Sequence, residues 1–285
     1  LHNRSIFFSN DDEVKHFLEK RSIENSKKHQ QPATLNVKSN LDKLTLNDMQ
    51  VFRFNFRHEK NQKILYLHGG YNTLQPSPFH WRLLDKLTLN TLHEVVLPIY
   101  PKSPDYHYLE TFKAIRDVYN QLVEEVGASN IVMMGDGSGG GLALSFVQSL
   151  INDNQEVPRK LFLLSPLLDA TLTNPNITKT LEENDILVSR FGVHQLMKSW
   201  TNDLPLSDAR ISPLYGTLKG LPPIYMYGGG REILSPDMHA FTHALEECGN
   251  DVEFKEYPKM VHDFPIYPIR QSHKVLKHIT KSILE

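Results

Sequence analysis

Asn130-Ile-Val-Met-Met-Gly-Asp-Gly-Ser-Gly-Gly-Gly-Leu-Ala-Leu-Ser-Phe146 is the stretch that decides the fold. Ile131 to Met134 is a short, wholly apolar run, which predicts a strand buried on both faces. Leu142 to Leu150 predicts a helix. Between them lie Gly135, Gly137, Gly139, Gly140 and Gly141. Strand, glycine-rich turn and helix are the setting of a nucleophile elbow, G-x-S-x-G. That turn needs small residues on either side of the nucleophile, because strand and helix backbones nearly touch there. Gly135 and Gly139 fill those places, so the nucleophile position is Gly137. The elbow is present without its hydroxyl. In a second register Ser138 is the nucleophile, flanked by Asp136 and Gly140. That register puts a carboxylate where the turn wants no side chain. Gly135-Asp-Gly137-Ser-Gly-Gly140 also matches G-x-G-x-x-G, a dinucleotide cradle, but that motif usually follows a first strand rather than lying mid-chain.

The 285 residues, 40% hydrophobic and 22% charged, suffice for one large core. A formal net charge of −2 offers no basic field to attract nucleic acid. No apolar run approaches the roughly 20 residues that cross a bilayer. Leu1-His-Asn-Arg-Ser-Ile-Phe-Phe-Ser lacks the apolar core and cleavage site of a signal peptide. The single cysteine, Cys248, suits a reducing cytoplasm and excludes an internal disulfide framework. No C-x-x-C or H-E-x-x-H spacing points to a metal, and no cofactor is expected.

Outward from the elbow, the chain alternates strand and helix. Residues 1–45 are polar, with one helical pattern over Glu13–Ser26, and are expected to form an N-terminal cap or a solvated arm. Gln50–Phe56 alternates apolar and polar side chains, which predicts a half-exposed antiparallel strand. Lys63–Leu67, His93–Tyr100, Lys160–Ser165, Pro223–Tyr227 and Val252–Tyr257 predict further strands. Phe79–Leu89, Tyr108–Val126, Met238–Cys248 and Arg270–Leu284 predict helices. Phe112, Ile115, Val118, Tyr119, Leu122 and Val126 lie three or four apart, as one face of a buried helix requires. The alternation predicts an α/β fold: a mostly parallel sheet covered on both faces. Residues 166–215 break the rhythm, with a helix expected over Ile186–Thr201. An insertion of this length usually covers a ligand site.

Three further features carry chemistry. Lys63–Leu67 ends in His68-Gly69-Gly70-Tyr71. A glycine pair after a strand lets backbone N–H groups reach into a cavity. With the N–H after the nucleophile, such donors hold an oxyanion. Gly69, Gly70 and Ser138 are therefore the candidate donors. Acid and histidine should follow late strands, because ligands bind at the carboxyl ends of parallel strands. Glu232 follows one such strand and His262 the next. An imidazole takes the nucleophile's proton, and a carboxylate fixes its tautomer and stabilises the imidazolium. Asp237 is the alternative acid, although a place in the first turn of a helix explains it too. Asp263, next to His262 in sequence, is expected to point elsewhere.

These motifs together resemble the α/β-hydrolase superfamily, and within it the hormone-sensitive-lipase-like esterases of bacteria. Their elbow, G-D-S-A-G-G or G-D-S-S-G-G, is met here by Gly135-Asp136-Gly137-Ser138-Gly139-Gly140. Their H-G-G-G is met by His68-Gly69-Gly70-Tyr71, their D-x-L by Glu232-Ile233-Leu234, and their H-G-F by His262-Asp263-Phe264. The resemblance runs from about residue 50 to the end. It implies an α/β-hydrolase fold with a helical cap made by residues 1–45 and 166–215. It also implies a small-molecule ester substrate, hydrolysed through a Ser-His-Glu acyl-enzyme mechanism. The departure at Gly137 has two readings. A serine has been replaced by glycine, or the protein is a naturally silent small-molecule binder. The completeness of the remaining machinery favours the first.

Overall fold

The computed structural model describes residues 7–55 and 62–285. Phe56 of the expected strand and Leu1–Ile6 of the N-terminal segment lie outside the described residues. Among the described residues one eight-stranded sheet runs in the order β1-β2-β4-β3-β5-β6-β7-β8. Its strands are β1 (Asn40–Leu46), β2 (Met49–Asn55), β3 (Lys63–Leu67), β4 (Glu94–Pro98), β5 (Ile131–Asp136), β6 (Lys160–Leu164), β7 (Ile224–Gly229) and β8 (Val252–Tyr257). β1 and β2 form an antiparallel hairpin, and β2 also runs antiparallel to β4. All the other pairs are parallel.

Among the described residues there are eight α-helices: α1 (Asp11–Asn25), α2 (Pro78–Thr91), α3 (Tyr108–Val126), α4 (Gly137–Asn152), α5 (Lys179–Asn184), α6 (Arg190–Thr201), α7 (Ser235–Glu247) and α8 (Arg270–Leu284). The period of two along a strand sorts its side chains between two cores. Ile64, Tyr66, Val132, Met134, Phe162 and Leu164 face one core, with Trp81 and Leu84 of α2 and Val275 and Ile279 of α8. Leu65, Leu67, Met133, Leu161 and Leu163 face the other, with Ile115 and Tyr119 of α3, Leu144 and Val147 of α4, and Phe241 of α7. Each fully buried aliphatic or aromatic side chain contributes about 1.5–3 kcal/mol, so the central strands are held from both faces.

Two expectations need correction. The polar segment 1–45 contains β1, so the arm ends near residue 39. β1 shows no alternation of buried and exposed residues, because it is an edge strand fixed by pairing with β2. The helix expected over Ile186–Thr201 starts only at Arg190. Asp185 Oδ1 accepts from the amides of Leu187 and Val188 at 2.9 Å each, and that turn diverts the backbone from a helix. The side chain of Ser189 then caps α6 by accepting from Gly192 N.

The N-terminal segment is tied down by polar contacts more than by apolar burial. Val14 is the buried residue of α1. Asn25 Nδ2 donates to the carbonyls of Thr73 and Ser103, and Ser22 Oγ to Asp105. Asp85 of α2 accepts from the amides of Lys38 and Ser39 and from the Ser39 hydroxyl. Gln195 of α6 reaches Asp11 at 3.3 Å, which brings α1 to the 166–215 insertion.

Candidate active site

β5 runs straight into α4, and Gly137 is the first helical residue, at φ +51°. A Cβ on Gly139 would overlap the carbonyls of Leu67 and His68, and one on Gly135 would overlap the carbonyl of Gly139. Strand and helix therefore meet through two positions that admit no side chain, with position 137 between them. A Cβ on Gly137 would stand 3.5 Å from His262 Nε2 and 3.1 Å from Asp263 Oδ2. The hydroxyl of Ser138 is turned to another partner and accepts from Asn72 N at 3.2 Å.

His262 lies in the loop after β8 and Glu232 in the loop after β7. Both are buried, Glu232 completely. His262 Nδ1 is 2.6 Å from Glu232 Oε2. Glu232 Oε1 accepts from Gly229 N at 2.6 Å and from Ser165 Oγ at 2.8 Å. Two donors thus fix the carboxylate before it meets the ring. Asp237 lies in the first turn of α7, away from His262. Its Oδ1 accepts from Asn174 Nδ2 at 2.9 Å, and its Oδ2 is buried without a hydrogen-bond partner. Burial pushes its carboxyl up to about 6.

Asp263 corrects a sequence expectation. Its backbone is left-handed, at φ +52°, and this turns its side chain back onto its neighbour. Asp263 Oδ2 lies 3.1 Å from His262 Nε2, and Oδ1 is buried with no partner. The imidazole is therefore held between two carboxylates. Burial alone would lower its pKa, but Asp263 and Glu232 outweigh burial and raise it well above the ordinary histidine value. Burial raises the Asp263 carboxyl, with Asp136 and Glu232 adding to the rise, against the pull of His262. Two carboxylates facing one imidazole favour the protonated form of the ring.

The glycine loop also departs from expectation. Gly69 N donates to Asp136 Oδ1 at 3.0 Å, so that amide is engaged within the protein rather than free for an oxyanion. Gly70, at φ +119°, and Ser138, in the first turn of α4, remain as candidate donors. Asp136 was not singled out from sequence, yet it joins four elements. Tyr66 Oη donates to its Oδ1 at 2.6 Å, and His80 Nε2 lies 2.9 Å from its Oδ2. Burial would raise Asp136, but His80, Tyr66 and the Gly69 amide outweigh it and hold the carboxyl below its ordinary value. Ser165, at the end of β6, is a second such residue. It donates to Glu232 and accepts from Asp263 N at 3.1 Å. The rule that sites gather at the carboxyl ends of parallel strands was the available signal for Ser165. For Asp136 the register with Gly135 and Gly139 as the small residues left its position unrestricted and so gave no signal. Among the described residues no group of three or more His, Cys, Asp or Glu is placed to hold a metal ion.

A parallel sheet with a strand–glycine–helix elbow, and an acid and a histidine on the two following strand ends, defines a class. The chain belongs to the alpha/beta hydrolase fold family, which matches residues 64–266. It is 34% identical to an esterase of Acinetobacter venetianus over 208 residues, which are 72% of this chain and 68% of that protein. It is 29% identical to a triacylglycerol lipase of Mycobacterium tuberculosis over 221 residues, 77% of this chain but 46% of the lipase, so it spans under half of that relative. Among solved structures, a Staphylococcus aureus protein described as a presumed esterase is 64% identical, with a TM-score of 0.98 covering 100% of this chain and 97% of that one. An esterase of the bacterial hormone-sensitive lipase family superposes with a TM-score of 0.83 over 97% of this chain and 92% of that one; at 21% identity this likeness concerns the fold alone. No helix among the described residues is long and apolar enough to cross a membrane.

Proposed function

We propose that this chain carries the acyl-transfer site of a carboxylic-ester hydrolase of short-chain esterase or lipase type, with Gly137 standing in the nucleophile's place. In this reading Glu232 is the acid and His262 the base. The amides of Gly70 and Ser138 are the oxyanion donors, and residues 7–39 with 166–215 form the cap. One observation carries it: a Cβ at position 137 would stand 3.5 Å from Nε2 of an imidazole whose other nitrogen is held by a buried glutamate. As it stands the chain binds a small ester and forms no acyl-enzyme. Loss of a triad nucleophile costs about a millionfold in turnover. The carboxylate of Asp263 against His262 Nε2 favours a naturally silent ester binder over a single replaced serine. Ser138 does not take the nucleophile's role, because its hydroxyl serves Asn72. The exposed, unpaired Cys248 fits a reducing cytoplasm.

The test uses p-nitrophenyl butyrate as both substrate and ligand. Turnover is expected at background, together with a rise in melting temperature on ester addition and none with NAD or ATP. Robust turnover abolished by Ser138→Ala would overturn the assignment of position 137. A melting temperature indifferent to the ester would overturn the binding.

A further inference from the structure

We infer that Asp263 is a second block on this site, independent of Gly137: it holds the imidazole nitrogen that has to accept the nucleophile's proton. A hydroxyl supplied at position 137 alone therefore does not restore ester hydrolysis, and removing the Asp263 carboxylate as well does. The inference rests on the acyl-transfer reading above.

In that chemistry a hydroxyl at position 137 passes its proton to His262 Nε2 while its oxygen forms a bond to the ester carbonyl carbon. The carbonyl π electrons move onto oxygen. The collapse that follows expels the alcohol, which takes the proton back from Nε2. Nε2 must begin unprotonated and facing the hydroxyl. Here it faces a carboxylate at 3.1 Å, which keeps a proton on that nitrogen.

Space leads to the same result. The Cβ of any residue at position 137 would come 3.1 Å from Asp263 Oδ2, closer than it would come to Nε2 at 3.5 Å. The carboxylate thus fills the ground that a hydroxyl would need. Charge adds a third obstacle. Asp263 is 92% buried, and its Oδ1 has no partner to neutralise it. An oxyanion developing beside position 137 would add negative charge where two buried carboxylates already share one imidazole.

The backbone at Asp263 makes the arrangement distinctive. At φ +52° glycine is the residue that sits without cost, and glycine is what the H-G-F pattern has. This chain holds an aspartate there, with its amide donating to Ser165 and its side chain folded onto His262. The two departures, a missing hydroxyl and an added carboxylate, lie on the same side of one imidazole.

The test compares five proteins on p-nitrophenyl butyrate: the natural chain, Gly137→Ser, Asp263→Gly, and the double variants Gly137→Ser/Asp263→Gly and Gly137→Ser/Asp263→Asn. A general base contributes about 10²–10⁴-fold. Gly137→Ser/Asp263→Gly should therefore exceed Gly137→Ser by about that factor in kcat, and both single variants should stay near background. Asparagine keeps the shape and removes the charge, so the Asp263→Asn double variant should fall between the two. His262→Ala in the active double variant should return it to background. Asp263→Gly suits a left-handed backbone, so the variants should fold cooperatively in urea. A Gly137→Ser form as active as the double variant overturns this inference alone and leaves the acyl-transfer reading standing. A folded, ester-binding double variant without turnover overturns both.

Discussion

Adding one methyl group at each of three glycines should separate the constraints that shape the elbow. At Gly127, φ is +79° and nothing lies within 4 Å of a new Cβ. With ψ 148° Gly127 lies in a region that is essentially glycine's alone, so Gly127→Ala meets only a backbone penalty of about 1–3 kcal/mol, less about 0.4–1 kcal/mol recovered from the unfolded chain. The net loss is about 0.5–2 kcal/mol. Gly137→Ala carries a backbone penalty of about 1–2 kcal/mol at φ +51° and adds a 3.1 Å approach to the movable end of Asp263. The loss should be about 1–2 kcal/mol, and part of it should vanish in an Asp263→Gly background. Gly139→Ala differs in kind. Its Cβ overlaps two backbone carbonyls at the end of β3, which is paired on both edges in the sheet. Strand and helix must separate, and the loss should reach about 3 kcal/mol or more, the upper end for overpacking. Urea midpoints of the three variants check the order. If Gly139→Ala costs no more than Gly137→Ala, strand and helix do not approach closely there. The placement of the nucleophile position at 137 then falls with it.

Two further outcomes follow from buried carboxylates. Asp237 has its pKa raised to about 6 by burial, so the stability gained from its protonation is present at low pH and is lost as pH rises through about 6. Asp237→Asn should remove that loss and be the more stable form at pH 8 by up to about 3 kcal/mol. The gap should narrow as pH falls below about 6 and close only below about pH 4, which urea midpoints across that range would show, and an equal gap at both ends would refute it. Asp136→Asn leaves a buried His80 without its counter-charge and weakens the acceptor of the Gly69 amide. Breaking such a pair typically costs about 3–5 kcal/mol, and a loss under about 1 kcal/mol by urea denaturation would mean that the pair holds nothing in place.

Apolar periodicity made much of the fold legible. α3 and α8 run over Tyr108–Val126 and Arg270–Leu284 as expected, because one face of each repeats apolar side chains every three or four residues. β1 was hidden because an exposed edge strand is specified by its partner and leaves no pattern of its own. The break before α6 was hidden because a single side chain, Asp185, makes it. In the site, Glu232 and His262 could be named from their places after the last two parallel strands. The orientation of Asp263 could not, since it depends on a positive φ that a non-glycine residue rarely adopts. Gly69 was misread for a related reason: the acceptor of its amide, Asp136, lies 67 residues away.

In the proposed reading, the presence of this machinery beside a missing nucleophile has a physical cause other than catalysis. Asp136 binds Tyr66 of β3, Gly69 of the glycine loop and His80 of α2, and it ends β5 at the elbow itself. Glu232 does the same for the other half of the site, joining β7, Ser165 after β6 and the His262 loop. Each carboxylate is fully buried, and a buried charge that loses a partner costs several kcal/mol. The acid, the histidine and the glycine loop are thus retained by the fold whether or not an ester is cleaved. Position 137 carries no such duty. Its side chain would meet His262 and Asp263, and glycine there relieves backbone strain. In the proposed triad the nucleophile is the member whose loss leaves no buried group without a partner, since Asp263 lies against His262 Nε2. A silent member of this fold should therefore lose it first and keep the other two.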